Sequence, residues 1–206
     1  MSATRVILVR HTEPEASARG RCYGRLDIDL SDEGRRHADA LGTALASFGV
    51  RAVLSSPLRR ARETARLIGA RLRLEPRVHP DLAEIDFGEL EGRAYEEIAV
   101  SDPSLYRAWM ERPTAVRFPG GESYSDLRER VLAALAEIRA EHPDSVVTLV
   151  AHGGVIRVIL ASALALPDDE IFRLAQDYGG ISIVEWDGEI ARVQMVNADL
   201  AAVDSV

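Results

Sequence analysis

Apolar positions along the chain fall into two patterns that alternate. Short unbroken runs, Arg5 to Arg10, Ala52-Val53-Leu54-Ser55 and Val146 to Ala151, are bounded by polar residues or glycine. Such runs read as parallel strands buried on both faces. Between them lie helical stripes. Ala38, Leu41, Leu45 and Phe48 recur at helical spacing behind Ser31, an N-cap candidate with Asp32 and Glu33 in the first turn. Leu58, Ala61, Ala65, Ile68 and Leu72 form a second stripe, where Ser56-Pro57 reads as an N-cap followed by proline at the first helical position. Leu127, Val131, Leu135 and Ile138 follow a helix start at Ser123 and Asp126, and Val155, Val158, Ile159 and Ala163 follow Gly153-Gly154. A further short strand is expected near Leu72 to Glu75. Asp187-Gly188 between Ile181–Trp186 and Ile190–Val196 signals a hairpin.

Strands alternating with helices predict an α/β fold: a three-layer sandwich with a mostly parallel central sheet flanked by helices. We expect a single domain over residues 1–206. Residues 80–144 break the rhythm with an acidic irregular stretch, Leu82 to Gly92, and the loop Phe118-Pro119-Gly120-Gly121. They read as a helical and loop insertion covering the rim of the sheet.

In open α/β sheets, ligands bind outside the carboxyl ends of the strands. Three polar groups are expected at that rim: Arg10-His11, Ser55 to Arg60, and His152-Gly153-Gly154. Two of them open helices, whose free N–H groups and dipole favour an anion. Arginine adds a planar fork matched to phosphate oxygens. Singly, each residue is more simply explained as packing, capping or surface. Together, two histidines, two arginines and two helix starts describe a phosphate pocket, with Glu84 placed to supply a proton from the insertion.

Composition narrows the class. The net charge of −8 argues against a nucleic-acid binder. All 25 basic residues are arginine, so a functional arginine must stand out by position. Long apolar stretches of membrane-spanning length are absent, so no membrane partner is expected. The first strand begins almost at once, leaving no room for a signal peptide. The single Cys22 cannot form an internal disulfide. A cytoplasmic protein is expected.

Four segments carry a more specific signal: Leu8-Val9-Arg10-His11, Ser56-Pro57-Leu58-Arg59-Arg60-Ala61, Leu82 to Gly92, and Val150-Ala151-His152-Gly153-Gly154. In this order they resemble the histidine phosphatase superfamily, the phosphoglycerate mutase-like group. The resemblance implies that His11 is the nucleophile that takes the phosphoryl group and Glu84 the proton donor. It implies that Arg10, Arg60 and His152 bind phosphate, with Gly153 offering a backbone N–H. In that cycle Glu84 starts protonated and later deprotonates the water that hydrolyses phospho-His11. No cofactor and no metal are required, and His37, His79 and His142 show no ligand spacing.

Members of the family commonly read Arg-His-Gly; here Thr12 follows His11, and Ser17 stands where asparagine is common. Thr12 with Gly20-Arg21-Cys22-Tyr23-Gly24 resembles the alpha-ribazole phosphatase branch, which places Thr12, Ser17, Cys22 and Tyr23 as candidates for the substrate side. The resemblance implies a metal-independent phosphomonoesterase acting on a small-molecule phosphate ester. A phosphoglycerate mutase and a non-catalytic phospho-ligand binder are the alternatives. A homodimer is left open, since the C-terminal hairpin strand is a candidate sheet edge.

Overall fold

The computed structural model describes residues 3–200. Its strands are β1 (Thr4–Arg10), β2 (Ala52–Ser55), β3 (Arg77–Val78), β4 (Val146–Ala151), β5 (Ile181–Asp187) and β6 (Ile190–Ala198). Its α-helices are α1 (Asp32–Ala44), α2 (Arg59–Leu72), α3 (Tyr95–Ser101), α4 (Pro103–Glu111), α5 (Tyr124–Glu141) and α6 (Gly153–Leu164). The strands form one six-stranded sheet in the order β3-β2-β4-β1-β5-β6. The first four elements of that order run parallel, and β5 and β6 add antiparallel at the far edge.

Strand side chains alternate between two cores. Val6 and Leu8 of β1 join Val147 and Leu149 of β4 beneath α5 and α6. Ile7 and Val9 point the other way and join Val53 and Val150 against α1 and α2. Both faces of the central strands are therefore covered, which is why their sequences are continuous apolar runs. Each fully buried Leu, Ile or Val contributes about 1.5–3 kcal/mol relative to exposure.

Two boundaries differ from the sequence reading. The strand expected near Leu72 to Glu75 lies at Arg77–Val78, because α2 runs through Leu72 and is stopped by Arg73 in the left-handed region (φ 58°). Ser56 is not the cap of α2. That helix starts at Arg59 behind an extended Leu58, and the Ser56 hydroxyl is engaged elsewhere. Ser31 does cap α1, accepting the Gly34 N–H at 2.9 Å.

The segment 80–144 divides in two. Helix α5 belongs to the framework: Leu127, Val131, Leu135 and Ile138 are buried in the core shared with α6 and the sheet. The part before it closes its own small core around Leu90, Ile98, Trp109, Val116 and Phe118, into which Cys22 is packed. Among the described residues no helix is long and apolar enough to cross a membrane.

Candidate active site

Because β1, β2 and β4 are parallel and adjacent, the residues that follow them share one rim. His11 follows β1, Ser56 follows β2 and His152 follows β4. The two imidazoles come together with ring centroids 5.1 Å apart. Strand β5, running the other way, brings its start to the same edge. There the Arg10 and Gly180 backbones are hydrogen-bonded, and Gly179 donates to the Arg10 carbonyl at 3.1 Å. This places Tyr178 over the site, 5.4 Å from His11 between ring centroids.

Both histidines are fully buried and held neutral. Burial itself is the largest cause that depresses the His11 pKa well below its ordinary value, followed by the positive charges of Arg60 and Arg10. For His152 the order is burial, Arg60, His11 and Arg10. The tautomers follow from the partners. His11 Nδ1 lies 2.8 Å from the Thr12 carbonyl and must donate to it, which leaves the lone pair on Nε2. His152 Nε2 lies 2.7 Å from Ser56 Oγ. That hydroxyl accepts the Leu58 N–H, and among the described residues His152 is the one acceptor in reach of its own proton. His152 therefore carries its proton on Nδ1, which is buried without a protein partner.

Arg60 has no exposed surface, yet among the described residues it forms no ion pair; Glu84, Glu91 and Asp27 reach it only through their charge. Its Nη1 and Nη2 donate to the carbonyls of Leu26 and Gly24 at 2.7 and 2.6 Å, and its Nε is unpaired. The 24–26 segment is itself held by Glu91, whose carboxylate accepts the N–H groups of Gly24, Arg25 and Leu26. A Cβ at residue 24 would stand 1.9 Å from the Ile85 carbonyl, so only glycine lets this loop approach the Glu84 segment. Arg10 donates to the Gln176 carbonyl at 2.5 Å, and its guanidinium carbon sits 4.1 Å from the Tyr178 ring centroid.

Glu84 reaches the rim from the segment 80–87. One carboxylate oxygen accepts the Gly154 N–H at 3.0 Å and the other its neighbour Ile85 N–H at 2.9 Å. Arg130 of α5 holds the segment from behind: it donates to the carbonyls of Asp81 and Ala83 at 2.7 Å and of Glu84 at 3.1 Å, and it pairs with Glu122 at 2.8 Å. Gly153 and Gly154 open α6, where the first N–H groups lack helical partners. Gly154 gives its own to Glu84, and Gly153 abuts the Arg10 guanidinium.

His11, Arg10, Arg60, Glu84, His152 and Gly153 thus converge. The four residues expected on the substrate side do not behave alike. Tyr23 is there: its hydroxyl meets that of Tyr178 at 2.5 Å, and its ring centroid is 5.2 Å from the Arg60 guanidinium carbon. Thr12 is fully buried against Thr64 of α2, so it positions backbone rather than facing substrate. Cys22 is fully buried in the small core, where burial pushes its thiol pKa up. Ser17 is exposed on a short 3-10 turn, Ala16–Ala18, with no side-chain bond to the rim. Among the described residues no group of three or more His, Cys, Asp or Glu side chains is arranged to hold a metal ion.

The sequence of this chain matches the profile of the histidine phosphatase superfamily, branch 1, over residues 6–199. It belongs to that superfamily. A bifunctional protein of Mycobacterium tuberculosis is 37% identical over 196 residues, which cover 94% of this chain and 54% of that protein. The chain therefore spans about half the length of the first curated relatives it matches. The native structure of mycobacterial glucosyl-3-phosphoglycerate phosphatase superposes with a TM-score of 0.88 at 30% identity, covering 96% of this chain and 100% of the other. The alpha-ribazole phosphatase from Shigella flexneri superposes with a TM-score of 0.86 at 27% identity, covering 94% and 96%.

Proposed function

We propose that the chain is a metal-independent phosphomonoesterase that works through a phosphohistidine at His11. The observation that carries this reading is the pairing of a neutral buried imidazole, its Nε2 free, with two arginines that form no ion pair among the described residues. A phosphoryl group seated there supplies the missing negative charge. Arg10, Arg60, the His152 Nδ1–H and the Gly153 N–H stabilise its non-bridging oxygens, the main task in phosphoryl transfer. His11 Nε2 attacks phosphorus in line, the P–O bond to the leaving group breaks, and Glu84 gives its proton to the departing oxygen. The Thr12 carbonyl steadies the positive charge that develops on the ring. Glu84, now a carboxylate, takes a proton from water, whose oxygen attacks phospho-His11 and releases inorganic phosphate.

The substrate is a small phosphate monoester. Alpha-ribazole 5′-phosphate fits that description, and the likeness to a solved alpha-ribazole phosphatase supports it. Thr12 and Cys22 lend it less weight, because both are packing residues in this fold. Rapid mixing with a phosphate ester and quenching in base should trap an acid-labile phosphoenzyme, and chelator should leave turnover unchanged. His11→Ala should lose both phosphoenzyme and turnover. Phosphate release that survives this substitution refutes the mechanism.

A further inference from the structure

Glu84 and Gly154, the proposed acid and its backbone anchor, form one wall of a cavity of about 210 Å³. The remaining walls are mostly apolar: Ile85, Phe87, Trp109, Phe118, Leu127 and Phe172. Phe87, Trp109 and Phe118 are already packed edge-on or tilted against one another, with centroids about 5 Å apart, so this wall is preformed. Trp109 and Phe172 also line a larger cleft of about 680 Å³, where Glu111 and Asp169 are the charged residues. The single cation among the residues that line the inner cavity is Arg157, held through Nε and its ring-stacked face. Its Nε donates to the Leu174 carbonyl at 2.9 Å and its guanidinium lies over Phe172 at 5.2 Å.

Position, size and charge each say something about the occupant. A proton donor must lie against the leaving-group oxygen, so the space beside Glu84 is where the leaving group goes. An apolar cavity of roughly 150 Å³ is enough for benzene, so this one takes a single ring with substituents. A carboxylate-bearing leaving group meets the single guanidinium of Arg157 here, already stacked on Phe172, against two carboxylates in the outer cleft.

We propose that this cavity is the leaving-group subsite and that it selects an uncharged alcohol bearing an aromatic ring. The proposal rests on the phosphatase reading above. It separates ring-bearing substrates from phosphorylated hydroxy acids and amino acids.

Benzyl phosphate, phosphoserine and 3-phosphoglycerate test it. All three have alkyl leaving groups that need the proton from Glu84, so their difference reads the subsite rather than leaving-group acidity. The expected result is a kcat/KM for benzyl phosphate about ten-fold or more above the other two, the order one hydrophobic pocket can supply. Phe172→Asp, at a side chain 54% exposed and tolerant of change, should erase about ten-fold of that preference, chiefly through KM. Thr114→Glu, on the same cavity wall, should act alike and serves if the first variant fails to fold. Phosphoserine or 3-phosphoglycerate turned over as well as benzyl phosphate overturns the subsite and leaves the phosphatase standing. So does a preference that survives both substitutions. No phosphate from any ester, with no phosphoenzyme, overturns both.

Discussion

Gly154→Ala isolates the proposed acid, Glu84, from the rest of the site. A Cβ at residue 154 would stand 2.3 Å from Glu84 Oε1 and 3.1 Å from its carboxyl carbon, against an ordinary contact of 3.4 Å or more. The carboxylate is the end of a flexible side chain, so it gives way instead of the helix, retreating by roughly 1 Å and straining the Gly154 N–H bond. A misplacement of ~1 Å at a reacting group costs on the order of 10²-fold in rate, or about 2.7 kcal/mol of barrier. The helix itself gains: alanine is favoured over glycine in a helix by up to ~1 kcal/mol. Folding is therefore retained while activity falls. Steady-state phosphate release should show kcat/KM for benzyl phosphate down about 10²-fold. For p-nitrophenyl phosphate kcat/KM should change little, because it reports phosphoenzyme formation and an acidic phenol departs without a proton. Thermal unfolding should be unshifted or slightly raised. An equal loss on both esters would falsify the assignment of Glu84 as the acid, and no loss on benzyl phosphate would remove the geometric argument altogether.

Two further outcomes are expected. Ser56→Ala leaves the buried His152 Nε2 without its donor, costing about 1–3 kcal/mol of stability, and no longer fixes the proton on Nδ1. Vanadate inhibition should weaken about ten-fold and the melting temperature should drop; unchanged vanadate affinity would mean His152 does not meet the anion through Nδ1. For pH, the depressed pKa values of His11 and His152 mean that below ~6.5 the unfolded chain binds protons the folded one refuses. Their contribution to stability is complete above that pH and is lost as pH falls towards the folded pKa values, by up to about 1.4 kcal/mol per pH unit for each histidine. Melting temperatures followed downward from about pH 7.5 should fall more steeply for the wild type than for His152→Asn, and parallel curves would show that His152 is not a buried neutral base.

What could be read in the sequence followed from periodicity. The strands that end at the rim are buried on both faces, so their apolar runs are unbroken and mark where His11 and His152 begin. Sites that depend on contact between distant segments left weaker traces. Ser56-Pro57 has the composition of a helix cap, and nothing local reveals that the hydroxyl turns to a histidine on another strand. Tyr178 is one tyrosine before two glycines; only the antiparallel docking of β5 brings it over Arg10. Arg130 lies beside the apolar stripe of α5, and nothing local reveals that it reaches back to the carbonyls of the Glu84 segment. Cys22 and Thr12 were misplaced for the opposite reason. They adjoin functional residues in sequence, but small side chains are free to turn inward, and both do.

The arrangement around Arg60 shows how the fold keeps a charge available for substrate. A buried guanidinium is normally satisfied by a carboxylate, because an unpaired charge in low dielectric is costly. Here two carbonyls, Gly24 and Leu26, take the Nη groups, and Glu91, one of the carboxylates whose charge reaches Arg60, bonds the N–H groups of the same segment instead. Glu91 thus fixes the loop, and the loop fixes Arg60 in position without a direct ion pair, although the charges of Glu84, Glu91 and Asp27 act on it. The same logic holds at Arg10, stacked on Tyr178 and bonded to the Gln176 carbonyl. Backbone carbonyls orient both arginines, whose charge adds to burial, the larger cause, in depressing the pKa of both histidines. One electrostatic design therefore prepares both the proposed nucleophile, His11, and the proposed phosphate site. It also carries a cost in the empty enzyme, which a bound oxyanion offsets.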